Sequence, residues 1–258
     1  MLSRLRNPLT CGLDIDSIES ITAFFKTISG NPILQAIYER RYRQFLPAVE
    51  ATRALGLPYV EIGAGPSQLE KWIPGIVKTD VVAHPNVHQV VDAEQLPFAE
   101  GALAGLFLTN VLHHLPHPAK FLAEADRVLA PGGRLLMIEP SSSWWQRLAT
   151  NMGSPYEYND ENITEWKNEV TGRLTHANNS LPKVIFIRDR ARFEREFPRL
   201  KIERVTPDTV LDFYLSGGFN YRPFIPRFFF PLVPWLEWAA TPLRRWMGVE
   251  ITIEIRKA

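Results

Sequence analysis

The sequence predicts an α/β fold in which a doubly wound, mostly parallel sheet carries helices on both faces. The first observation is an apolar strand, Tyr59 to Ile62, that runs into a Gly-x-Gly turn at Gly63 and Gly65. The second is Asp80, which lies seventeen residues after Gly63 at the end of another apolar strand. In open α/β sheets, glycines let the backbone approach a nucleotide, and a carboxylate after the second strand accepts bonds from the ribose hydroxyls. This spacing therefore predicts a nucleotide-binding crevice.

The turn after the first strand also limits the kind of ligand. A dinucleotide fingerprint has a third glycine, so that a pyrophosphate can meet a helix N-terminus. Here the turn reads Gly63-Ala64-Gly65-Pro66-Ser67, with no glycine at position 68. Such a turn suits a ligand that has nucleoside and amino-acid ends but no phosphate.

The elements before the crevice are helical. Residues 15–54 predict two helices, the first capped by Asp16-Ser17 and the second beginning at Asn31-Pro32 with proline at the first helical position. Apolar residues recur at helical spacing in the second helix, at Ile33, Ile37, Phe45 and Val49.

Five strands and one helix are predicted next. The strands span 58–62, 76–80, 88–92, 105–109 and 134–139, and a helix over 117–129 precedes the fifth. Asp80 and Asp92 are only twelve positions apart, so a helix between the second and third strands has almost no room. We therefore expect a short loop to cover this side of the crevice.

The composition changes after Pro140. Residues 141–182 are rich in Ser, Asn, Trp and Tyr without a long apolar period, and we interpret them as a lid or substrate insertion. A charged helix over 188–197 and a sixth strand over 201–206 follow. Aromatic residues and prolines fill 207–248, and alternation over 250–255 predicts a closing strand.

The motifs beyond the crevice resemble those of a known enzyme family. They read Val90-Val91-Asp92-Ala93, Leu96-Pro97-Phe98, Asn110-Val111-Leu112-His113-His114-Leu115 and Leu129-Ala130-Pro131-Gly132-Gly133-Arg134. Over roughly residues 55–140 the series resembles the class I S-adenosylmethionine-dependent methyltransferases, closest to their small-molecule, type 11-like branch. The resemblance implies a seven-stranded Rossmann-like sheet with an antiparallel last strand. It also implies a methyltransferase domain over 55–258, with insertions at 141–182 and 207–248, after a helical segment over 1–54.

The resemblance assigns a cofactor site for S-adenosylmethionine to these motifs. The turn glycines would approach the methionine end, Glu61 would orient the bonds there, and Asp80 would bind the ribose. Asp92 would offer its carboxylate to the adenine amine, and Ala93 its backbone amide to the ring. Without a ligand, the same residues form an ordinary strand-to-helix turn and a simple turn before Leu96. The predicted cofactor residues are Glu61, Gly63, Ala64, Gly65, Asp80, Asp92, Ala93 and Asn110.

A cluster of histidines follows the fourth strand, at His113, His114 and His117. Adjacent histidines cannot easily face one ion from a helix, and no nearby Cys or acidic ligand completes a set, so we predict no metal. We assign His114 as the general base, because histidine titrates near neutrality. The alternatives are that both adjacent histidines pack at the crevice rim, or that Tyr156, Tyr158 or Asp160 takes the proton.

The segment 222–246 is the second distinctive feature. It combines aromatic residues with flanking arginines: Phe224, Phe228, Phe229, Phe230, Trp235, Trp238 and Trp246 with Arg222, Arg227, Arg244 and Arg245. Aromatics with arginines are typical of interfacial membrane segments. An apolar cap packed on the sheet, a dimer surface, and a pocket for a lipid-linked substrate are the alternatives.

Bulk properties exclude several classes of protein. The net charge of +1 gives no general field for nucleic acid, so we predict no nucleic-acid partner. The single cysteine, Cys11, excludes an internal disulfide and a multi-cysteine metal site. The N-terminus has no apolar core typical of a signal peptide, and the longest charge-free apolar run near the end, Phe228 to Leu236, is far short of the ~20 residues of a spanning helix. We predict a cytoplasmic protein, membrane-peripheral if 222–246 faces lipid.

The sequence thus predicts S-adenosylmethionine-dependent methyl transfer to a small, lipid-like or glycan-linked acceptor, by O-methylation. An NAD(P)-dependent oxidoreductase is disfavoured by the missing third glycine and the absence of a Tyr-x-x-x-Lys pair. A nucleic-acid methyltransferase acting on exocyclic amines would carry Asn/Asp-Pro-Pro-aromatic where this chain has Asn110-Val111-Leu112. A non-catalytic S-adenosylmethionine-binding protein remains an alternative.

Overall fold

Two helices lead into a seven-stranded sheet in the computed structural model, which describes residues 5–153 and 156–258. Helix α1 spans Ile18–Gly30, and α2 spans Pro32–Thr52. The Ser17 side chain caps α1 by accepting a hydrogen bond from a backbone amide. Asn31 caps α2 in the same way, ahead of a proline in the first turn. Both predicted helix starts are confirmed.

The strands form one large sheet and one small one. In chain order they are β1 Tyr59–Ile62, β2 Val77–Asp80, β3 Gln89–Val90, β4 Leu103–Thr109, β5 Leu129–Pro140, β6 Glu157–Tyr158, β7 Ala177–Asn178, β8 Leu200–Asp208 and β9 Glu250–Lys257. The large sheet has the order β3-β2-β1-β4-β5-β9-β8, and β6 pairs with β7 separately. Strand β9 runs antiparallel to both of its neighbours, while the other pairs are parallel. This confirms the predicted seven-stranded Rossmann-like α/β fold with an antiparallel last strand.

The remaining helices are shorter. They are α3 Pro118–Val128, α4 Trp144–Gly153, α5 Leu181–Lys183, α6 Arg190–Glu196, α7 Asp212–Ser216, α8 Val233–Ala240 and α9 Arg244–Met247. Short 3₁₀ helices occur at Arg53–Leu55, Leu69–Lys71, Leu112–His114, Arg227–Leu232 and Thr241–Leu243. The charged helix predicted over 188–197 is α6, and a π-helical turn at Val184–Arg188 precedes it.

Strand β4 lies at the centre of the core. Its side chains alternate between two apolar layers, because successive residues of a strand point to opposite faces. Leu106 and Leu108 pack in the layer that contains Phe121 of α3. Phe107 packs in the other layer against Phe45 of α2, with ring centroids 5.0 Å apart. Both faces of this parallel strand are buried, which explains its unbroken apolar sequence.

Two predicted strands have different lengths in the structure. The third was predicted over 88–92 but has only two residues, both exposed, because it lies at the sheet edge with one neighbour. The fifth was predicted to begin at 134 but begins at Leu129. A register shift opposite Leu103 and Gly105 accommodates the Pro-Gly-Gly turn, in which Gly132 has a φ of +82°. The loop predicted between β2 and β3 is confirmed, with no helix between them.

A long excursion separates β8 from β9 although the two strands pair directly. It contains α7, α8 and α9 where a tight hairpin would suffice. Among the described residues, no helix is both long and apolar enough to cross a membrane.

Candidate active site

A cavity of about 1050 Å³ opens where β1, β2 and β4 end. Ligands of open α/β sheets bind at the carboxyl ends of the parallel strands. Six of the eight predicted cofactor residues and the predicted base belong to its wall: Gly63, Gly65, Asp80, Asp92, Ala93, Asn110 and His114. The predicted residues Glu61 and Ala64 are buried and are not among the described residues of the wall.

The turn after β1 needs both of its glycines. Gly63 has a φ of +65° and Gly65 a φ of +45°, in the region that side chains disfavour. A Cβ on Gly63 would lie 2.5 Å from Cγ2 of Val111, whereas one on Gly65 would meet nothing within 4 Å. The absence of a side chain at Gly63 therefore lets the turn after β1 approach the loop after β4 at Val111. Gly65 leaves open space beside the cavity. The amide of Ala64 is already used, donating to the Thr79 carbonyl at 2.8 Å.

Asp80 is fixed at the end of β2. Its Oδ2 accepts a hydrogen bond from the Gly65 amide at 2.9 Å, and its Oδ1 accepts one from the Val82 amide at 3.3 Å. Nε2 of His84 lies 3.5 Å from Oδ2. An ionised carboxylate offers about four acceptor positions, so these contacts leave lone pairs for a ligand. The position of this carboxylate on the cavity wall fits a ribose diol.

Glu61 offers an unused acceptor in the interior behind this turn. The residue is buried, and its Oε2 has no hydrogen-bond partner among the described residues. Burial raises the pKa of the Glu61 carboxyl to about 8. A buried polar atom without a partner is costly. The cationic amino group of a methionine moiety is a partner of the right chemistry, so this residue also fits S-adenosylmethionine.

The residues predicted for the adenine end lie on the same wall. Asp92 is exposed, and its Oδ1 accepts a hydrogen bond from the Glu94 amide at 2.8 Å. Ala93 beside it is buried. Asn110 has a φ of +56° and donates its amide to the Ile138 carbonyl at 2.8 Å. The two acidic residues that the sequence places after β2 and near β3 thus share one crevice.

The loop after β4 is held by Glu139, a fully buried residue near the end of β5. Its Oε1 accepts hydrogen bonds from the amides of Val111 and Leu112, at 2.9 and 2.8 Å. Its Oε2 lies 2.6 Å from Nδ1 of His113, which is also buried. His113 is therefore oriented by a carboxylate, and the loop is fixed by side-chain contacts rather than by a long helix.

His114 is half-buried and lines the cavity, and its Nδ1 has no partner among the described residues. Burial lowers the pKa of the His114 imidazole well below 6.5, and the neighbouring His113 and the Arg173 guanidinium lower it further. The side chain is consequently neutral at physiological pH, with an acceptor nitrogen free to take a proton.

The third histidine of the cluster takes a separate position. His117 pairs with Glu94, at 3.0 Å between Nδ1 and Oε2. Glu157 instead lies close to His113 and His114. One potential metal-ligand atom from each of these three residues lies within 4.8 Å of the other two. The sequence predicts no acidic ligand near the histidines, but Glu157, which lies in the predicted insertion over 141–182, is close to them in space. The guanidinium beside His114 disfavours a cation there, and the absence of a metal stays a prediction.

An ion pair that the sequence does not predict also lines the cavity. Arg41 is 2% exposed and binds Glu250 of β9 through Nε, at 3.2 Å, and through Nη2. Its guanidinium carbon lies 4.7 Å from the centroid of the Tyr38 ring. Nη1 has no partner in the described part of the chain. The available signal was that Arg41 shares a helix face with Ile37 and Phe45, at spacings of four residues.

Both insertions contribute to the same wall. The first supplies Tyr156, Val170, Arg173 and Leu174, and the second supplies Phe213, Tyr214, Phe219 and Phe224. The first is tied to the core, because Asn168 donates a side-chain hydrogen bond to the His113 carbonyl at 2.7 Å. The alternative bases lie in this insertion: Tyr158 donates to the Asn168 side chain at 3.0 Å, and only Tyr156 of the three lines the cavity.

Comparisons with known proteins agree with this geometry. Residues 61–137 match the family model described as a methyltransferase domain. The ubiquinone/menaquinone biosynthesis C-methyltransferase UbiE of Bordetella avium is 34% identical over 77 residues, which cover 30% of this chain and 28% of that enzyme. The phthiotriol/phenolphthiotriol dimycocerosates methyltransferase 1 of Mycobacterium ulcerans is 36% identical over 109 residues, covering 39% of this chain and 40% of that enzyme.

The fold has a solved counterpart as well. The crystal structure of DszA carbon methyltransferase aligns with 94% of this chain and 59% of that chain, at 14% identity and a TM-score of 0.50. The chain spans less than half the length of the two curated relatives. The matched domain over residues 61–137, the order of the strands and the motifs that line the crevice support a class I S-adenosylmethionine-dependent methyltransferase.

Proposed function

We propose that the protein transfers a methyl group from S-adenosylmethionine to a small or lipid-like acceptor. One observation carries this proposal: a single cavity joins the predicted cofactor residues at the strand ends to an aromatic wall built by the two insertions. The bound cofactor supplies an electrophilic methyl group on a sulfonium. The protein's own work is then to position the reactants and exclude water.

The cofactor half is supported by two acidic groups on the cavity wall and by a third that is buried behind the turn after β1. Asp80 offers free lone pairs beside the turn glycines, Asp92 lies further along the crevice, and Glu61 has an unpaired oxygen. A nicotinamide dinucleotide lacks the methionine amine that would pair with Glu61. It also needs a pyrophosphate site, and the chain between β1 and β2 has only a 3₁₀ turn at Leu69–Lys71 instead of a full helix.

The acceptor half combines an aromatic wall with polar side chains that have unpaired atoms. Phe213, Tyr214 and Phe219 provide the apolar wall. Among the described residues, Nη1 of Arg41 is an unpaired donor, as are Nε1 of Trp145 and Nε of Arg173. This arrangement suits an acceptor with an apolar body and an oxygen function, including a lipid-linked or glycan-linked one. The names of the two relatives support the same class of acceptor, since they refer to quinone biosynthesis and to dimycocerosates.

We infer methylation on oxygen, with His114 as the general base. A hydroxyl acceptor must lose a proton, and His114 is a neutral imidazole on the cavity wall with an unpaired ring nitrogen. Carbon methylation is the competing outcome, because one of the relatives carries that name.

Calorimetry with the purified protein tests the cofactor assignment. S-adenosylmethionine and its demethylated product should bind, whereas NAD should not. Asp80→Asn should weaken donor binding, and Asp126→Asn is the matched control, since that carboxylate lies away from the cavity and pairs with Arg199. Binding of NAD in preference to the methyl donor would favour an oxidoreductase, and tight donor binding without turnover on any extract would favour a non-catalytic binding protein.

The acceptor can be approached without knowing its identity. Lipid and polar extracts are incubated with the enzyme and isotope-labelled donor, and the labelled product is identified by mass spectrometry, which also shows whether oxygen or carbon is methylated. Tyr214→Ala and Leu174→Ala should each raise the acceptor KM while donor affinity stays unchanged, because the two residues line the cavity from different insertions. Unchanged KM in both variants would contradict this acceptor site.

A further inference from the structure

An exposed apolar surface lies on the excursion between β8 and β9. Its members, which we name the aromatic surface, are Phe228, Phe229, Leu232, Trp235, Leu236, Trp238, Leu243 and Trp246. The exposed fractions reach 75% for Phe228, 68% for Trp235, 71% for Trp238 and 58% for Trp246. Isolated exposed apolar residues are normal, but a contiguous group of this kind marks an interaction site.

Helix α8 is anchored to the protein on one face and exposes apolar side chains on the other. Val233, Glu237 and Ala240 recur at helical spacing and are buried, so this face is anchored to the protein. Trp235 and Trp238 lie on the other face, which carries no polar side chain. A water-facing helix normally has charged residues on that face. The sequence leaves four alternatives for this segment: a membrane contact, a dimer surface, an apolar cap or a pocket for a lipid-linked substrate. The exposure of the tryptophans shows that it is not buried as a cap within this chain.

The charges around the aromatic surface have one sign. The segment 222–246 contains four arginines, and Glu237 is its only acidic residue. Glu237 is buried, and its carboxylate accepts hydrogen bonds from the amides of Val210, Leu211 and Asp212 at 2.8, 2.8 and 3.2 Å. Its negative charge is thereby held inside, next to backbone donors. The exposed charges of the segment come from Arg222, Arg227 and Arg245.

The cavity opens beside this surface. Phe224 and Leu148 both line the cavity and are exposed. Leu148 belongs to α4, which packs against α9, the helix that carries Trp246. Trp144 of α4 is exposed as well, at 57%. The apolar surface thus continues from the excursion to the cavity entrance.

We propose that the aromatic surface docks on the interfacial region of an anionic lipid membrane. Tryptophan rings favour the membrane–water interface, and arginines are attracted by anionic headgroups. The exposed aromatic rings and arginines, together with the burial of Glu237, fit an anionic membrane as the partner. The docking itself does not depend on methyl transfer. Docking through the aromatic surface would place the cavity entrance at the lipid surface, where a lipid-like acceptor could enter the cavity directly. This role in acceptor entry rests on the proposed function.

Vesicle sedimentation with the full chain tests the docking and needs neither donor nor acceptor. The protein should bind vesicles of phosphatidylcholine with phosphatidylglycerol more tightly than vesicles of phosphatidylcholine alone, and added salt should weaken the binding. The double change Trp235→Ala and Trp238→Ala should lower the partition coefficient about tenfold or more. The control is Val90→Ala with Ile187→Ala, two exposed apolar residues on other surfaces.

A second pair of variants tests the charge. Arg227→Gln with Arg245→Gln should lower binding to anionic vesicles about tenfold or more, and should leave binding to neutral vesicles nearly unchanged. Arg195→Gln with Lys201→Gln, exposed elsewhere, is the matched control. Calorimetry with S-adenosylmethionine on each variant separates this proposal from the catalytic one. No binding to either vesicle type, equal loss in the controls, or a dimer that forms through the tryptophans instead would overturn the membrane proposal.

Discussion

The carboxylate of Glu139 lies 2.6 Å from Nδ1 of His113, and its other oxygen accepts hydrogen bonds from two backbone amides of the same loop. One side chain of β5 thus fixes both the backbone and the first histidine of the segment that borders the cavity. The neighbouring imidazole of His114, which faces the cavity, inherits its position from this arrangement.

We expect Glu139→Gln to destabilise the protein by about 1–3 kcal/mol, because an amide cannot accept from the two backbone donors and the ring as the carboxylate does. Urea unfolding measures the loss. Glu94→Gln is the matched control, since Glu94 also contacts a histidine amide and ring, but at the half-exposed position of His117. An equal change in both variants would show that burial of Glu139 is not the cause.

Asp80→Ala should weaken donor binding by about 2–4 kcal/mol, through the loss of charge-assisted hydrogen bonds. Calorimetry gives the affinity. Because Asp80 also accepts from the Gly65 amide, unfolding experiments must show that the variant is folded. Unchanged donor affinity in a folded variant would contradict the assignment of the crevice.

Donor binding should release a proton from Glu61. Its pKa is raised to about 8 by burial, so the carboxyl is mostly protonated at pH 7, and a cationic amine beside it would lower that pKa. Calorimetry in buffers of different ionisation enthalpy measures the proton release, which Glu61→Gln should abolish. A buffer-independent heat in the unchanged protein would show that the amine binds elsewhere.

The same carboxyl predicts a pH dependence of stability. Between its unfolded pKa near 4.5 and its folded pKa near 8, the folded protein binds more protons than the unfolded chain. The stabilisation is therefore complete below about pH 4.5 and is lost as the pH rises through about 8. Urea unfolding at pH 6 and pH 9 should show a larger decrease for the unchanged protein than for Glu61→Gln.

His114→Ala should lower the turnover rate ~10²-fold or more with nearly unchanged donor affinity, if His114 is the base. The lowered pKa of His114 keeps the imidazole neutral at acidic pH, so the rate should stay constant down to pH 6.5 and fall only well below it. Tyr156→Phe serves as the comparison, because Tyr156 lines the same cavity. Near-normal turnover in the alanine variant would leave the histidine with a packing role and direct attention to the tyrosine.

Arg41→Lys should raise the acceptor KM while donor affinity is retained, because lysine keeps the charge but loses the fork that binds Glu250 and presents Nη1 to the cavity. Breaking a buried ion pair by removing one charge costs about 3–5 kcal/mol, so a neutral substitution would test folding instead. Steady-state kinetics give the KM. An unchanged KM would show that Nη1 does not contact the acceptor.

Local patterns sufficed for the sheet and for most of the crevice. The strands have short apolar sequences bounded by glycine, proline or aspartate, and the helix caps at Ser17 and Asn31 are local hydrogen bonds. Asp80 and Asp92 follow strands that lie side by side, so their convergence follows from a parallel sheet. These features depend on residues close together in the sequence, and for that reason they were predicted.

The acceptor side depends on contacts between distant residues. Arg41 meets Glu250 across a separation of 209 residues, and Glu157 reaches the histidine pair from the insertion. No periodicity connects such partners. The sequence also does not predict whether Trp235 and Trp238 are exposed, because an apolar segment alone does not reveal whether a tertiary contact covers it.

The position of β9 between β5 and β8 has a consequence for the making of this protein. A ribosome delivers the chain from its N-terminus, so β5 and β8 are synthesised before the strand that joins them. Until residues 250–257 emerge, both strands present unpaired edges, which readily pair with other chains. A nascent chain halted before Glu250 is therefore a candidate client for chaperones, although most of its parallel sheet can already form.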